Sequence, residues 1–461
     1  MKIYLETMGC QMNRLDSELV TGRLLAAGHE ITDDRKSADV VLYNTCSVRA
    51  HAENKVYSRL GEEARRKGNL KHPPIVGVLG CMVQRQGPAL RKRYPCVDIA
   101  CGPRQLSDLP EMILNAAAGK TTVARDPDRK TARDAFENDP NFDVLDQGRD
   151  PCIGPNARAY VRVMRGCDKF CTYCIVPFVR GPEISRKPSA IVEEVRRLVA
   201  AGRCEITLLG QTVNSYCHRA GEQTVSFSDL LGRVSDIEGL RRLRFVTSHP
   251  IDFGNDILEA MRDLPNICPY VHCPAQSGSD RILKAMGRNY TREQYDDLID
   301  RARAIVPDVV LAGDFIVGFP GESEQDHAAS ADLIRRSGYK NSFIFKYSPR
   351  PGTAGARHLV DDIPAAVKKY RNNELLAVQA EAGLAHHRKL IGRTMEVLVE
   401  GPSRRAGKQP KAPANPGHLQ LVGRTRGDHI AVFDGPRDLA GQYANIHITG
   451  ASALTLFGQL R

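Results

Sequence analysis

Long hydrophobic runs are missing from this chain of 461 residues. Its longest apolar stretches, such as residues 75–79 and 309–312, have the length of a strand and fall far short of the roughly 20 residues a membrane span needs. No helix is therefore expected to cross a bilayer. The start, Met1-Lys2-Ile3-Tyr4-Leu5-Glu6, puts an acid where a secretory leader needs a continuous apolar core, and the expected location is cytoplasmic. Cysteine is sparse: thirteen residues, an odd number, lie well below the density of a disulfide scaffold. In a reducing compartment such thiols are packing, catalytic or metal-binding groups. With 42% hydrophobic and 26% charged residues the composition is that of a globular protein, which excludes wholesale disorder and collagen-like repetition. At roughly 150 residues per domain the length suggests about three domains.

The first 120 residues alternate short apolar runs with amphipathic stretches. Residues 3–5, 40–43, 75–79 and 97–100 predict strands, and segments starting near Leu15, Val48, Gln84 and Gln105 predict helices. Strand then helix, repeated, predicts a parallel sheet. Residues 121–151 lose this pattern in a charged, proline-bearing stretch that reads as a linker. A second alternating series fills residues 152–387, with strands expected at 160–164, 205–209, 243–247, 269–272, 309–316 and 342–347. Six such units suit an incomplete (β/α)6 barrel better than an open sheet. After a charged helix at 365–390, residues 388–461 turn to short strands at 395–399, 419–422, 429–433, 443–449 and 454–456, joined by Gly, Pro and Asp turns. That is the pattern of a small antiparallel β-barrel. The expected class is thus α/β throughout residues 1–387, followed by an all-β module. Eleven basic against five acidic side chains fall between Arg388 and Arg461, so more than half of the net charge of +11 sits in this last part. The excess points to a polyanionic partner. An insert carrying Arg404, Arg405, Lys408 and Lys411 reads either as a source of further phosphate contacts or, slightly favoured, as a solvated basic loop.

The sharpest motif is Cys167-Asp168-Lys169-Phe170-Cys171-Thr172-Tyr173-Cys174. Three thiolates on one tight loop can hold three irons of a 4Fe-4S cluster, which leaves the fourth iron free to chelate the amino and carboxylate groups of S-adenosylmethionine. A closed zinc site would need a fourth ligand. A second set, Cys10, Cys46 and Cys81, is dispersed, yet each member stands shortly after an expected parallel strand. The ends of such strands line the ligand crevice of open α/β sheets, so these thiols could converge there. The glycines before Cys10 and Cys81 would let the backbone turn sharply or approach a bulky group. The remaining cysteines, Cys96, Cys101, Cys152, Cys204, Cys217, Cys268 and Cys273, share no spacing and read as packing or surface thiols.

With its tail Ile175-Val176-Pro177-Phe178-Val179-Arg180-Gly181, the Cys167 motif resembles the radical S-adenosylmethionine enzymes that add methylthio groups. Gly9-Cys10-Gln11-Met12-Asn13 and Asn44-Thr45-Cys46-Ser47-Val48-Arg49 narrow the resemblance to the MiaB type, the tRNA-2-methylthio-N6-dimethylallyladenosine synthases. Residues 209–216, 272–280 and 314–322 support it, and Phe433-Asp434-Gly435-Pro436 resembles the RNA-binding TRAM module, so the likeness covers almost the whole chain. It implies an auxiliary 4Fe-4S cluster on Cys10, Cys46 and Cys81, and a radical cluster on Cys167, Cys171 and Cys174. It also implies two uses of S-adenosylmethionine: methylation of a sulfur on the auxiliary cluster, and reductive cleavage to a 5′-deoxyadenosyl radical that activates C2–H of an adenine at position 37 of tRNA. Candidate contacts to S-adenosylmethionine are Gly210, Gln211 and Asn214, past the second barrel strand, and more weakly Ser248, Gln276 and Asp314, since barrel sites collect at C-terminal strand ends. The expected partners are tRNA and an electron-donating reductase, with the chain acting as a monomer.

Two positions depart from the family pattern. Cys273 stands where an aliphatic residue is usual and is not expected to be a ligand; Thr212 replaces a common Asn, which leaves Asn214 as the better candidate. Sister enzymes act on threonylcarbamoyl adenosine in tRNA or on a ribosomal-protein aspartate. Residues 44–49 with Ala52-Glu53, and the basic C-terminal part, favour the dimethylallyladenosine branch. Phe433 and Tyr443 could stack on a base, although core packing is the more frequent use. A nonenzymatic RNA-binding protein with zinc-stabilised loops is the reading from another class, and it predicts zinc in place of iron.

Overall fold

The computed structural model describes residues 1–47, 50–125, 143–155, 157–403 and 417–461; Val48, Arg49 and the insert with Arg404, Arg405, Lys408 and Lys411 lie outside the described residues. The N-terminal sheet holds β1 (Lys2–Met8), β2 (Glu30–Ile31), β3 (Val40–Thr45), β4 (Ile75–Gly80), β5 (Ile99–Cys101) and β6 (Thr122–Ala124). Their order is β2-β1-β3-β4-β5-β6, parallel throughout. β3 is buried along its whole length, because a parallel strand covered on both faces needs apolar residues on both. Helix Gln11–Ala26 sets Met12, Leu15 and Leu19, three and four residues apart, in a core with Ile3, Val40 and Leu42. Each such side chain, fully buried, contributes about 1.5–3 kcal/mol.

The expected linker is more than a connection. β6 closes one edge of this sheet, and helix Val144–Gln147 buries Leu145 and Asp146. A three-residue strand and a one-turn helix are too short to leave a periodic signal, and Asp146 reads as a surface residue until its arginine partners are known.

The central part contains six parallel strands, β7 (Arg158–Arg162), β10 (Glu205–Leu209), β13 (Arg242–Val246), β14 (Tyr270–His272), β15 (Val310–Val317) and β16 (Asn341–Lys346). β8 (Met164–Arg165) with β9 (Ile184–Ser185) and β11 (Cys217–Ala220) with β12 (Gln223–Ser226) are short antiparallel pairs outside it. The ladders run β7-β10-β13 and β14-β15-β16, and a parallel bridge between Leu243 and Ile267 joins the halves. Among the described residues no ladder returns from β16 to β7. The barrel is therefore incomplete, and helix Ala365–Arg388 lies beside β16, with Asn372 Nδ2 donating to Ile344 O at 2.9 Å.

The last part is a closed barrel of β17 (Thr394–Pro402), β18 (His418–Thr425), β19 (Ile430–Pro436), β20 (Tyr443–Ala451) and β21 (Thr455–Leu460), in the order β17-β18-β19-β21-β20. One correction applies: β19 and β21 pair in parallel, while the other four pairs are antiparallel. Directions cannot alternate all the way round a ring of five strands. Phe433, only 2% exposed, belongs to this barrel's core and presents no face to an RNA base, while the half-buried Tyr443 ring lies under the Arg241 guanidinium at 3.7 Å.

The small barrel docks on the starting ends of the central strands. Arg242 donates to Arg424 O and Glu396 O, both at 2.9 Å. Arg244 donates to Arg426 O at 2.8 Å and Thr425 O at 2.6 Å. Arg158 pairs with Glu400, and Lys340, just before β16, with Asp428.

Candidate cluster and S-adenosylmethionine site

Cys10, Cys46 and Cys81 follow β1, β3 and β4, which are neighbours in the sheet. Met8 lies beside Thr45 and Thr45 beside Gly80, so the three thiols leave one edge together. The approach is too close for larger residues. A Cβ on Gly9 would stand 2.6 Å from Cys46 Cβ, and one on Gly80, at φ +92°, would stand 2.7 Å from Asn44 Oδ1. Asn13 Nδ2 donates to Asn44 Oδ1 at 3.0 Å, Asn44 Nδ2 donates to Asn13 O at 2.9 Å, and the Cys10 thiol donates to Asn13 Oδ1 at 3.1 Å. The two N-terminal motifs thus form one hydrogen-bonded platform. A hydrogen bond with Cys46 lowers the Cys10 thiol to about 6, against its burial and with help from the Arg180 charge, whereas burial pushes the Cys81 thiol up.

The second thiol set sits on the loop after β8. Gly166 there has φ +68°, and a Cβ would fall 1.8 Å from Pro182 O. Cys167 N donates to Gly181 O at 3.2 Å and Cys174 N to Cys171 O at 2.9 Å, which folds the loop tightly. Lys169 anchors it through an ion pair with Asp252 at 2.6 Å. Arg288 Nη1 donates to Cys171 Sγ at 3.6 Å. Burial pushes the Cys167 thiol to about 11 and the Cys174 thiol to about 12. Such thiols deprotonate when a metal replaces the proton.

The two sets adjoin. Cys81 packs in one apolar cluster with Ile175 and Val179, directly after Cys174. Arg180 Nε donates to Cys81 Sγ at 3.3 Å and Arg180 Nη2 to Asp16 Oδ2 at 2.8 Å. Asp16 Oδ1 accepts from Arg162 at 2.7 Å, and Asp146 accepts from both Arg162, at 2.9 Å, and Arg165, at 2.6 Å. A buried charge chain therefore runs from Cys81 to within two residues of Cys167.

Among the described residues no three His, Cys, Asp or Glu side chains are already grouped around a point where a metal ion would sit. The donor type is that of an iron–sulfur cluster. Each set offers three thiols, and Thr45 Oγ1 and Ser47 Oγ, on either side of Cys46, are buried without a hydrogen-bond partner.

The residues nominated for S-adenosylmethionine cluster on β10, β13, β14 and β15 or just beyond them. At Gly210 a Cβ would stand 2.7 Å from Met164 Cγ. Gln211 is half-buried, and the Ser248 hydroxyl is buried without a partner. Asn214 is occupied on both sides of its amide: Nδ2 donates to His249 O and Oδ1 accepts from His249 N, each at 2.8 Å. Gln276 has φ +69° and its N donates to Asp314 O at 2.7 Å, while Asp314 Oδ1 lies 3.3 Å from His272 Nε2. Cys273 is buried in the barrel core.

Sequence reasoning gave no role to Arg180, Arg288 or Glu183. Glu183 accepts from Thr212 Oγ1 and Ser215 Oγ, each at 2.8 Å, and burial pushes its carboxyl up. The only local sign was an acid two residues after Gly181, beside the cysteine loop.

Residues 2–102 match the family described as Uncharacterized protein family UPF0004, residues 161–334 the Radical SAM superfamily and residues 388–460 the TRAM domain. The incomplete barrel with its three-cysteine loop is that of a radical S-adenosylmethionine enzyme, a class that carries a 4Fe-4S cluster and S-adenosylmethionine. Among solved structures, the radical S-adenosylmethionine methyltransferase TsrM from Kitasatospora setae, with cobalamin and a 4Fe-4S cluster bound, shares this fold. Its TM-score is 0.54 at 16% identity, over 77% of this chain and 74% of that one. A tRNA-2-methylthio-N(6)-dimethylallyladenosine synthase from Rhodopirellula baltica is 46% identical over 100% of this chain and 95% of its own. Proteins of the same name from Bacteroides fragilis and Syntrophotalea carbinolica are 41% and 40% identical, over 99% and 97% of this chain and 95% and 97% of theirs. The chain belongs to the tRNA-2-methylthio-N(6)-dimethylallyladenosine synthase family. Among the described residues no helix is long and apolar enough to cross a membrane.

Proposed function

We propose that this chain methylthiolates C2 of N6-dimethylallyladenosine at position 37 of tRNA, next to the anticodon, giving 2-methylthio-N6-dimethylallyladenosine. Cys167, Cys171 and Cys174 hold the radical 4Fe-4S cluster, and Cys10, Cys46 and Cys81 hold an auxiliary one. The observation that carries this reading is the meeting of the two thiol sets across Arg180 and the contact of Cys81 with Ile175 and Val179. When bound, the clusters and S-adenosylmethionine supply the reductive cleavage, methyl group and sulfur that no side chain provides.

The chain's own residues position and enclose. The apolar contact of Cys81 with Ile175 and Val179 keeps water from the space between the thiol sets. The Ser248 hydroxyl, buried and unpaired, is a donor for S-adenosylmethionine, and Gly210, Gln211, Gln276 and Asp314 contribute to the same pocket. Asn214 acts through the His249 backbone that it fixes. The C-terminal barrel, with its basic excess, holds the tRNA backbone, an electron-donating reductase supplies electrons, and the protein works as a cytoplasmic monomer.

Anaerobically reconstituted protein is expected to bind about eight irons, four per cluster. Replacing Cys10, Cys46 and Cys81 by alanine should remove half of them and leave S-adenosylmethionine cleavage intact while abolishing methylthiolation. A triple variant that keeps all its iron would remove the auxiliary cluster from the reading. Mass spectrometry of tRNA from a deletion strain tests the substrate: 2-methylthio-N6-dimethylallyladenosine should vanish, and its persistence would refute the assignment.

A further inference from the structure

Arg180 is buried by the elements around it, yet it follows the cysteine loop by only six residues. Its guanidinium divides its donors between two partners. Nε faces Cys81 Sγ at 3.3 Å and Nη2 faces Asp16 Oδ2 at 2.8 Å. Asp16 is in turn held by Arg162 at 2.7 Å, so the guanidinium cannot swing away without leaving a buried carboxylate short of a partner. We infer that Arg180 is a positioning residue of the auxiliary cluster: it aims a fixed N–H and a positive charge at the Cys81 sulfur and raises that cluster's reduction potential. This rests on the proposed assignment of Cys10, Cys46 and Cys81 to such a cluster.

The physical basis is general. Hydrogen bonds to ligand sulfurs and the net charge around a cluster set its potential, because both stabilise the extra electron of the reduced form. In a dry interior neither effect is screened by salt. Arg288 makes the corresponding contact with Cys171 on the other loop, so a guanidinium also faces a sulfur of the second thiol set. Because Arg180 comes from the loop that follows Cys174, it also couples the two sites mechanically.

The test uses full-length protein with Cys167, Cys171 and Cys174 replaced by alanine, which isolates the auxiliary cluster. Redox titration followed by electron paramagnetic resonance should give a more negative midpoint for Arg180→Gln than for its parent, with Arg180→Lys in between because the charge is kept and the aimed fork is lost. Where Arg180→Gln alone does not fold, the double variant Asp16→Asn/Arg180→Gln removes opposite charges together and should show a smaller shift in the same direction, from the lost N–H to Cys81. Four irons bound with an unchanged midpoint would overturn this inference and leave the cluster assignment standing. A parent that binds no iron would overturn both.

Discussion

Gly166 and Asn214 show how much one residue can decide. At Gly166 the backbone has φ +68° and a methyl group would collide with Pro182 O, so Gly166→Ala combines backbone strain with a clash against main chain. The expected cost is about 2 kcal/mol or more, together with loss of the iron proposed for the Cys167, Cys171 and Cys174 set, measurable by calorimetry and iron assay. Asn214→Ala strands the buried N–H and C=O of His249, at about 1–3 kcal/mol for each group left unpaired. Melting temperature and the KM for S-adenosylmethionine should therefore worsen together; a changed KM at constant melting temperature would place the amide on the cofactor instead. The cysteines at 167, 171 and 174 are legible in sequence because their spacing is local. The role of Arg180 is not, since its sulfur partner lies 99 residues away. Nor is that of Asp16, whose burial depends on arginines from another part of the chain.

Elements were legible where they are long and covered on both faces. β3 opens on four apolar residues in a row, β4 is apolar or glycine throughout, β10 carries Ile206, Leu208 and Leu209, and helix Ala365–Arg388 is a sustained charged segment. β2, β6 and the β11–β12 hairpin were not, because two to four residues carry no period and their partners lie far along the chain. β13 does two jobs that sequence does not separate. Val246 leads into the site, while Arg242 and Arg244 at its start hold the C-terminal barrel through four hydrogen bonds to backbone carbonyls. Both also face Glu205, at 3.6 and 3.2 Å. Arg242→Ala with Arg244→Ala leaves that buried carboxylate uncompensated, a loss of about 3–5 kcal/mol. The expected readout is faster hydrogen exchange and earlier proteolysis in residues 388–403, with iron content unchanged; protection equal to the parent's would refute the docking role.

Across the molecule, buried charge makes stability depend on pH. Burial alone would raise the carboxyls of Asp16 and Asp146, but the surrounding guanidiniums overcome it, Arg180 and Arg162 at the first and Arg162, Arg186 and Arg165 at the second, and hold both below the ordinary range. The stability they contribute is complete above the unfolded value of about 4 and is lost as pH falls towards the folded values. Histidines act earlier. Burial lowers His386 to about 4 and His429 well below its usual value, and their rings meet at 2.9 Å between the long helix and the C-terminal barrel. The unfolded chain then binds protons that the fold does not, so stability declines as pH drops from about 6.5 to 4. Scanning calorimetry should show melting temperature falling gently through that window and steeply below it. A flat profile between pH 6.5 and 4.5 would contradict the histidine part.

The small barrel grips the starting ends of β7, β13 and the segment before β16, whereas the cysteines stand past the finishing ends of their strands. The wall between is about 16 Å high for the five residues of β13. If the proposed function holds, a substrate anchored below and reacting above must straddle that height, and the barrel would act as a gauge of molecular size. On the proposed function, a mononucleoside would engage one end at a time and a folded hairpin both, so free nucleosides are expected to be poor substrates on the dimensions of the scaffold alone.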